Sequence, residues 1–526
     1  LAKSPVIAYG HRAVSRREQP MDQDISAAFA ARAATAGDRP FVILPDATVI
    51  TYAMAQARAG QLANAFRAAG VRAGDRIAIQ AEKSLDGLLT YLAAMRIGAV
   101  YLPLNTGYTP SELRFFLSDA TPALVIHRPE DEAVLGALCH ELAIPARLTL
   151  GAISGGSLRD AADRAGAALD DHPARPDDLA AILYTSGTTG RSKGAMLTRA
   201  NLASNAVTLV QYWQFAPADV LLHALPIFHT HGLFVATNTT IVAGSAMILC
   251  PRFDAKELIR LLPRASVLMG VPTFYSRLLG EPGFTRELVA HMRLFVSGSA
   301  PLSAETHRAF AARTGHAILE RYGMTETNMN TSNPYHGDRV PGTVGLPLPG
   351  VELRIADPAS GTALPPGEVG VIEVRGPNVF AGYWQLPDKT AEDLRADGWF
   401  ITGDMGVIDE RGYVAIVGRE KDLIICGGFN VYPAEVEALL DAVPGIGESA
   451  VIGVPHPDLG EGVVAVVQAH DPALTEAGVI AAIAPDLARF KQPRRVIFVP
   501  ELPRNTMGKI QKKALRDLYA GLFAGR

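Results

Sequence analysis

Ten residues, Thr185 to Gly194, hold five hydroxyl side chains, three glycines and two cations directly after the apolar run Leu179 to Tyr184. Glycines let backbone N–H groups turn toward an anion, hydroxyls donate further hydrogen bonds, and Lys193 adds a mobile charge, so the pattern suits a polyphosphate. A polar surface turn is the plain alternative; the hydroxyl density combined with Lys193 argues against it. A Walker loop fits poorly, because it needs Lys and then Ser or Thr opening a helix, whereas Lys193 is followed by Gly194 and the strand-like Ala195-Met196-Leu197.

Other residues of chemical type stand further along. Tyr322-Gly323-Met324-Thr325-Glu326 combines an aromatic face, a flexible glycine, a hydroxyl and a carboxylate. Together they could stack a base, touch a phosphate and hold a hard cation; Glu326 alone reads as a helix cap or a solvated charge. Asp404, in a Thr-Gly-Asp turn, suits an ordinary Asx turn as well as a hydroxyl acceptor. His229 and His231 flank Thr230 in an apolar stretch, and two such histidines are more often satisfied core residues than catalysts. Their spacing would also suit a metal pair, but no third ligand is near in sequence. Arg489 to Arg516 holds nine Lys or Arg residues and only one acid, Glu501. A solvated basic helix is one reading of that run, a small basic lobe closing over anionic substrates the better one.

These residues need a large scaffold. At 526 residues the chain suggests roughly three folding units, fused into a large lobe and a small one. With 48% hydrophobic and 19% charged residues it is an ordinary globular composition. The formal charge of -4 provides no global basic field for nucleic acid or anionic membrane. Val220 to Pro251 carries no Asp, Glu, Lys or Arg, but Pro226, Gly232 and Gly244 divide it, so it reads as buried core and not as a membrane span. Cys139, Cys250 and Cys426 lack metal-ligand spacing and fit reduced thiols in the cytoplasm. Leu1 to Pro20 has no apolar run of secretory length and is expected as a poorly ordered extension; a mitochondrial matrix location is the weaker alternative.

Helical and strand-like patterns alternate through the first 180 residues: Tyr52 to Ala69 (helix), Arg76 to Gln80 (strand), Leu85 to Ile97 (helix), Ala123 to His127 (strand). Such βα alternation predicts a mostly parallel sheet covered on both faces. Val267 to Val271 and Leu294 to Ser297 predict further buried strands, and Val351 to Ala356, Val369 to Arg375 and Tyr413 to Val417 an antiparallel β-rich subdomain. After the charged Arg419 to Asp422 come a helix over Ala434 to Leu440, strands over Ser449 to Val454 and Val463 to Gln468, and a helix over Thr475 to Leu487. The expected division is a large α/β domain over 21–420 and a small mobile α+β lid over 421–526.

In order along the chain, Thr185 to Gly194, Ser297-Gly298-Ser299-Ala300-Pro301, Glu320 to Glu326, Thr402-Gly403-Asp404, Gly418-Arg419 and Pro503 to Lys509 resemble the motifs of the adenylate-forming superfamily, which includes acyl-CoA synthetases, luciferases and peptide-synthetase adenylation domains. Leu225 to Gly232 and Gly270 to Arg277 resemble the malonyl-CoA synthetases most. The resemblance implies a two-step ligation in which a carboxylate attacks the α-phosphorus of ATP to give acyl-AMP, and CoA then displaces AMP. Catalysis of that kind rests on positioning and charge stabilisation.

The same resemblance implies roles residue by residue. Thr185, Ser186, Gly187, Thr188, Thr189, Gly190 and Lys193 would cradle the phosphates. Tyr322 would stack adenine, Thr325 touch the α-phosphate and Glu326 hold Mg²⁺, while Asp404 and Arg419 would bind the ribose. Ser299, Ala300 and Pro301 would line the adenine and acyl-phosphate region. His229 would orient the carboxylate or thiol, Thr230, His231 and Met324 would shape the acyl pocket, and Lys509 would serve adenylation and be a target for a lysine acyltransferase or deacetylase. Lys421 would be the hinge, with Gly427, Gly428 and Phe429 along the CoA path. Arg277, in a segment too apolar for a casual surface cation, is expected to read the distal carboxylate of a small dicarboxylate; pairing with Glu281 is its structural alternative. Malonate, with methylmalonate beside it, is the expected acid; a short-chain monocarboxylate ligase and a carrier-loading module are the neighbouring readings.

Overall fold

The computed structural model describes residues 24–153, 155–185, 192–427, 429–505 and 509–524. Two large sheets dominate. A seven-stranded sheet runs in the order Gly382–Tyr383, Lys193–Thr198, Leu179–Thr185, Val100–Pro103, Arg76–Gln80, Leu124–His127, Ala146–Thr149, parallel from Leu179–Thr185 onward. Its central strands are short, mostly apolar runs buried at every position but Arg76, which is the mark of a sheet covered on both faces. A nine-stranded sheet has Val220–His223 at its parallel centre, between Val267–Gly270 and Ala246–Leu249; Leu294–Ser297 and Leu319–Met324 follow in parallel on one side.

Helices pack on these sheets in one large core, with a second, smaller one against the other face of the seven-stranded sheet around Leu102, Phe116 and Val125. The helix Leu85–Arg96 is buried over nearly its whole length. Such burial is tolerable because its charged members are paired: Asp86 meets Arg58 and Arg159, and Arg96 meets Asp171. Val220–Pro251 is core as expected, built as strand, one π-helical turn (His231–Ala236), helix Thr237–Ala243 and strand Ala246–Leu249.

The β-rich segment is a four-stranded antiparallel sheet, Glu352–Ala356, Gly370–Arg375, Phe400–Ile408, Val414–Arg419. Beyond it the hairpin Ile446–His456 with Gly460–Ala469 anchors a further mixed sheet, to which Arg495–Val499 adds in parallel. The core of the first part of the chain runs to Val414, and separate cores of the last part begin at Ile424. The helix expected over Thr475 to Leu487 stops at Ile483 and gives way to a tight turn, Ala484–Asp486. Pro485 is the reason, since it lacks the N–H and disfavours helix in the residue before it. Fold class and the succession of sheets agree with the sequence reading.

Candidate active site

Thr185 and Lys193 end and begin two antiparallel strands and sit opposite each other in register. That pairing fixes the mouth of the phosphate loop; Ser186, Gly187, Thr188, Thr189 and Gly190 lie outside the described residues. Lys193 is buried, 3.1 Å from Asp393 Oδ2 and 4.1 Å above the Tyr383 ring. The Tyr383 hydroxyl donates to Glu326 Oε1 at 3.2 Å, and Thr185 Oγ1 donates to the same oxygen at 3.4 Å. Burial raises the Glu326 carboxyl above its ordinary range, partly offset by hydrogen bonding to its own backbone and by Lys193. One buried carboxylate with a hydroxyl beside it is the hard-oxygen donor set that Mg²⁺ takes when phosphate oxygens fill the remaining positions.

Tyr322, Asp404 and Arg419 form a chain. The Tyr322 hydroxyl donates to Asp404 Oδ2 at 2.6 Å, and Arg419 Nε lies 2.9 Å from Asp404 Oδ1. Asp404 and Arg419 are register partners on neighbouring strands, so the sheet holds the ion pair in place. Thr325 and Met324 are half-buried at the end of Leu319–Met324. Ser299 has a left-handed backbone, φ 71°, and sits beside half-buried Ala300 and exposed Pro301 in the turn after Leu294–Ser297. Glu320 buttresses that turn by accepting from the Leu302 N–H at 3.0 Å. Burial pushes the Glu320 carboxyl up to about 8.

His229, Thr230 and His231 follow strand Val220–His223. The His231 N–H donates to His229 Nδ1 at 3.3 Å, which leaves the His229 proton on Nε2. Burial, with the Lys509 and Arg321 charges, holds His229 down to about 3, so it works as a neutral ring. His231 is fully buried and contacts Ser299 Oγ through Nδ1 at 3.2 Å. Thr230 donates to Asn328 Oδ1 at 3.0 Å; Asn328 is buried with φ 49°, a conformation asparagine tolerates better than most residues.

Lys509 reaches the same place from the last part of the chain. Its N–H donates to Asn505 Oδ1 at 3.0 Å, closing the turn around it. Burial lowers the amine to about 8; Arg419 and Arg321 push the same way, and Asp404 and Glu326 pull against them. Residues 506–508 lie outside the described residues, as does Gly428. Lys421 is exposed within a single turn, Glu420–Asp422, and Asp422 pairs with Arg516 at 2.9 Å. Gly427, φ 60°, and Phe429 are exposed, the Phe429 ring 4.8 Å from that of Phe490.

Arg277 departs from expectation. The helix Pro272–Leu279 buries Phe274, Tyr275 and Leu278, and Arg277 stands exposed at the border of that face with its guanidinium 6.0 Å from the ring centre of Phe253, which stacks on Phe274. It is not a desolvated cation in this structure. A desolvated guanidinium does exist, at a residue that sequence reasoning passed over. Arg321 is 2% exposed, and its Nε and Nη2 have no hydrogen-bond partner among the described residues. Burial lowers it to about 9. Its charge acts on both His229 and His231, and a Cβ at Gly298 would stand 2.5 Å from its Cζ. A side chain at Gly298 would therefore displace the guanidinium. A charge in the middle of an otherwise buried strand was the available signal.

No group of three His, Cys, Asp or Glu among the described residues is placed to hold a metal by itself, and no helix among them is long and apolar enough to cross a membrane.

This constellation can be set beside known proteins. MatB from Rhodopseudomonas palustris, solved with ATP bound, is 56% identical and superimposes with a TM-score of 0.92 over 95% of this chain and 99% of that one. A feruloyl-CoA synthase of Amycolatopsis sp is 38% identical over 90% of this chain and 94% of its own length. A mitochondrial malonate–CoA ligase of Mus musculus is 35% identical over 86% and 84% respectively. Family models described as AMP-binding enzyme and AMP-binding enzyme C-terminal domain match residues 29–384 and 435–509. The phosphate-loop strands, Glu326 and the Lys193–Tyr383 contact fall inside the first match and Lys509 closes the second, so the chain belongs to the AMP-binding enzyme family.

Proposed function

We propose that the chain ligates malonate, with methylmalonate as a second acid, to CoA through an acyl-AMP intermediate, releasing pyrophosphate and then AMP. The observation that carries the choice of acid is Arg321. A buried guanidinium with two nitrogens unpaired among the described residues is costly unless an anion meets it, and a carboxylate matches its fork in two-point geometry. The reacting carboxylate of the acid must face ATP, so an acid that also meets Arg321 carries a second carboxylate. Relatives that act on malonate support the reading.

In the first half-reaction one carboxylate oxygen attacks the α-phosphorus and the bond to pyrophosphate breaks. Lys193 and the loop it borders would hold the phosphates, Tyr322 the adenine, and Asp404 with Arg419 the ribose hydroxyls. Glu326 and the Thr185 hydroxyl would hold Mg²⁺, a cation that neutralises phosphate charge. Thr325 would donate to the α-phosphate, and Lys509 would stabilise charge gathering between carboxylate and phosphate. His229, neutral and with its proton on Nε2, would donate to the acyl-phosphate. Thr230, Met324, His231 and Ser299 would bound the acyl pocket. In the second half-reaction the CoA sulfur attacks the acyl carbon and AMP leaves. We assign the lobe boundary to about residue 420 and the hinge to Lys421, with Gly427, Gly428 and Phe429 on the pantetheine path after rotation. Acetylation of Lys509 would remove its charge and silence the first step. The three cysteines are free and buried, which supports a reducing, cytoplasmic setting. A pyrophosphate-release screen over malonate, methylmalonate, succinate, acetate and butyrate, with CoA present, tests the reading. Malonate should lead, and release driven equally by acetate or butyrate would overturn it.

A further inference from the structure

Lys83 lies in the turn between strand Arg76–Gln80 and helix Leu85–Arg96, on the seven-stranded sheet, yet its ammonium reaches the nine-stranded sheet. Its Nζ is 3.0 Å from His223 Nδ1, 2.8 Å from the His223 carbonyl oxygen and 2.8 Å from the Leu225 carbonyl oxygen. An ammonium has three donors, and here each has one acceptor. With Nδ1 accepting, the His223 ring carries its proton on Nε2, which meets the Gly232 carbonyl at 3.0 Å. Lys83 therefore holds one end of the loop Leu225–Gly232 directly and the other through His223. That loop carries His229, Thr230 and His231. Its ends are already close, since a Cβ on Gly232 would stand 2.1 Å from the Pro226 carbonyl oxygen, and it leads into a π-helical turn, a local structure common where function has shaped a helix.

Lys83 is buried and has no carboxylate partner among the described residues. Burial lowers the Lys83 amine to about 7, and a polar group buried at that cost is an expensive way to stabilise a fold, because an apolar residue of similar length would pack the same space without desolvating it. The expense has a local purpose. We propose that Lys83 is a positioning residue for the acyl side of the site: through two carbonyls and the His223 ring it fixes the loop that aims the His229 Nε2–H and the Thr230 hydroxyl. The nucleotide side, built on Glu326, Asp404 and Arg419, does not depend on it.

The proposal deepens the reading above, and the two fail separately. A wild-type enzyme that makes no acyl-adenylate from malonate overturns the choice of acid; the comparison of variant with wild type is then run with the acid used fastest in the screen. The variant is Lys83→Met, and the measurements are calorimetric binding of magnesium-ATP and of a non-hydrolysable sulfamoyl mimic of the acyl-adenylate, with acid-dependent ATP–pyrophosphate exchange at saturating substrates. ATP affinity should stay within about twofold, while mimic affinity and exchange kcat fall about 10-fold to 100-fold, the scale of lost hydrogen bonds to a charged group. Parallel loss of ATP and mimic binding, or wild-type values for both, overturns the proposal. Should Lys83→Met fail to fold, His223 decides. His223→Gln keeps an acceptor and a donor and should restore exchange, and His223→Leu should lose about 10-fold in kcat with the KM for ATP unchanged. Equal rates for these two variants would overturn it.

Discussion

If Arg321 reads the second carboxylate, replacing it by methionine should convert a dicarboxylate enzyme toward a monocarboxylate one. Methionine fills the same slot beside Gly298 without charge. In the wild type the Arg321 Nε and Nη2, unpaired among the described residues, would donate to the malonate carboxylate in a site from which water is excluded. Removing one partner of such a desolvated pair costs about 2 to 5 kcal/mol, so kcat/KM for malonate should fall roughly 30-fold to several thousand-fold at 1.4 kcal/mol per decade. Butyrate should hold or improve, because the lone buried cation that opposed it is gone. Gly298→Ala gives the same test from the other side, since the new methyl would stand where the guanidinium lies. Arg277→Ala, by contrast, removes an exposed side chain and should change malonate kcat/KM by no more than about 2-fold. The assay is continuous pyrophosphate release with each acid in turn, on variants whose thermal midpoint shows them folded. A parallel fall for malonate and butyrate in Arg321→Met would make Arg321 a scaffold residue, and a large malonate-specific loss in Arg277→Ala would return the role to the exposed arginine.

Three further outcomes follow from the geometry. Lys509→Ala should lose adenylation by about 100-fold or more, the scale of one transition-state donor, while converting supplied acyl-AMP to acyl-CoA at near the wild-type rate; single-turnover assays of each half-reaction separate the two. Lys421→Pro, which fixes φ in the turn between the two sets of cores, should spare ATP–pyrophosphate exchange and slow thioester formation, and normal turnover with CoA would remove the hinge. The Lys509 amine is lowered to about 8; the charged form is the active one, so adenylation should decline as pH rises through about 8. His229, held near 3, should add no acid limb between pH 5 and 7, and exchange rates across pH 5 to 10 check both.

Much of this architecture could be read from residue types because strands and phosphate loops advertise themselves. Arg76–Gln80 and Leu294–Ser297 are apolar runs bounded by polar turns, and their ends fell where the pattern put them. Thr185 and Lys193 bracket a loop whose composition has few other uses. Residues that work by being buried were harder. Arg321 sits among motif letters and its significance lies in what it lacks, two hydrogen bonds, which no spacing encodes. Lys83 finds its acceptors 140 and 142 positions along the chain, two of them backbone carbonyls that carry no side-chain signature. Arg277 shows the limit of an apolar context as a signal: at 100° per residue it lies 60° from Phe274, at the border of the face that Phe274, Tyr275 and Leu278 bury, and its side chain is exposed.

The choice of acid is tested most directly by competition. Malonate, acetate, butyrate and ferulate at equal concentration share one reaction with ATP, Mg²⁺ and CoA, stopped at low conversion, and the thioesters are quantified by mass spectrometry, so that their ratios equal the ratios of kcat/KM. Malonyl-CoA should exceed every other thioester by about 30-fold or more, the lower bound set by a desolvated charge pair. A mixture in which butyryl-CoA, acetyl-CoA or feruloyl-CoA matches or exceeds malonyl-CoA would contradict the assignment of Arg321 and of the dicarboxylate with it.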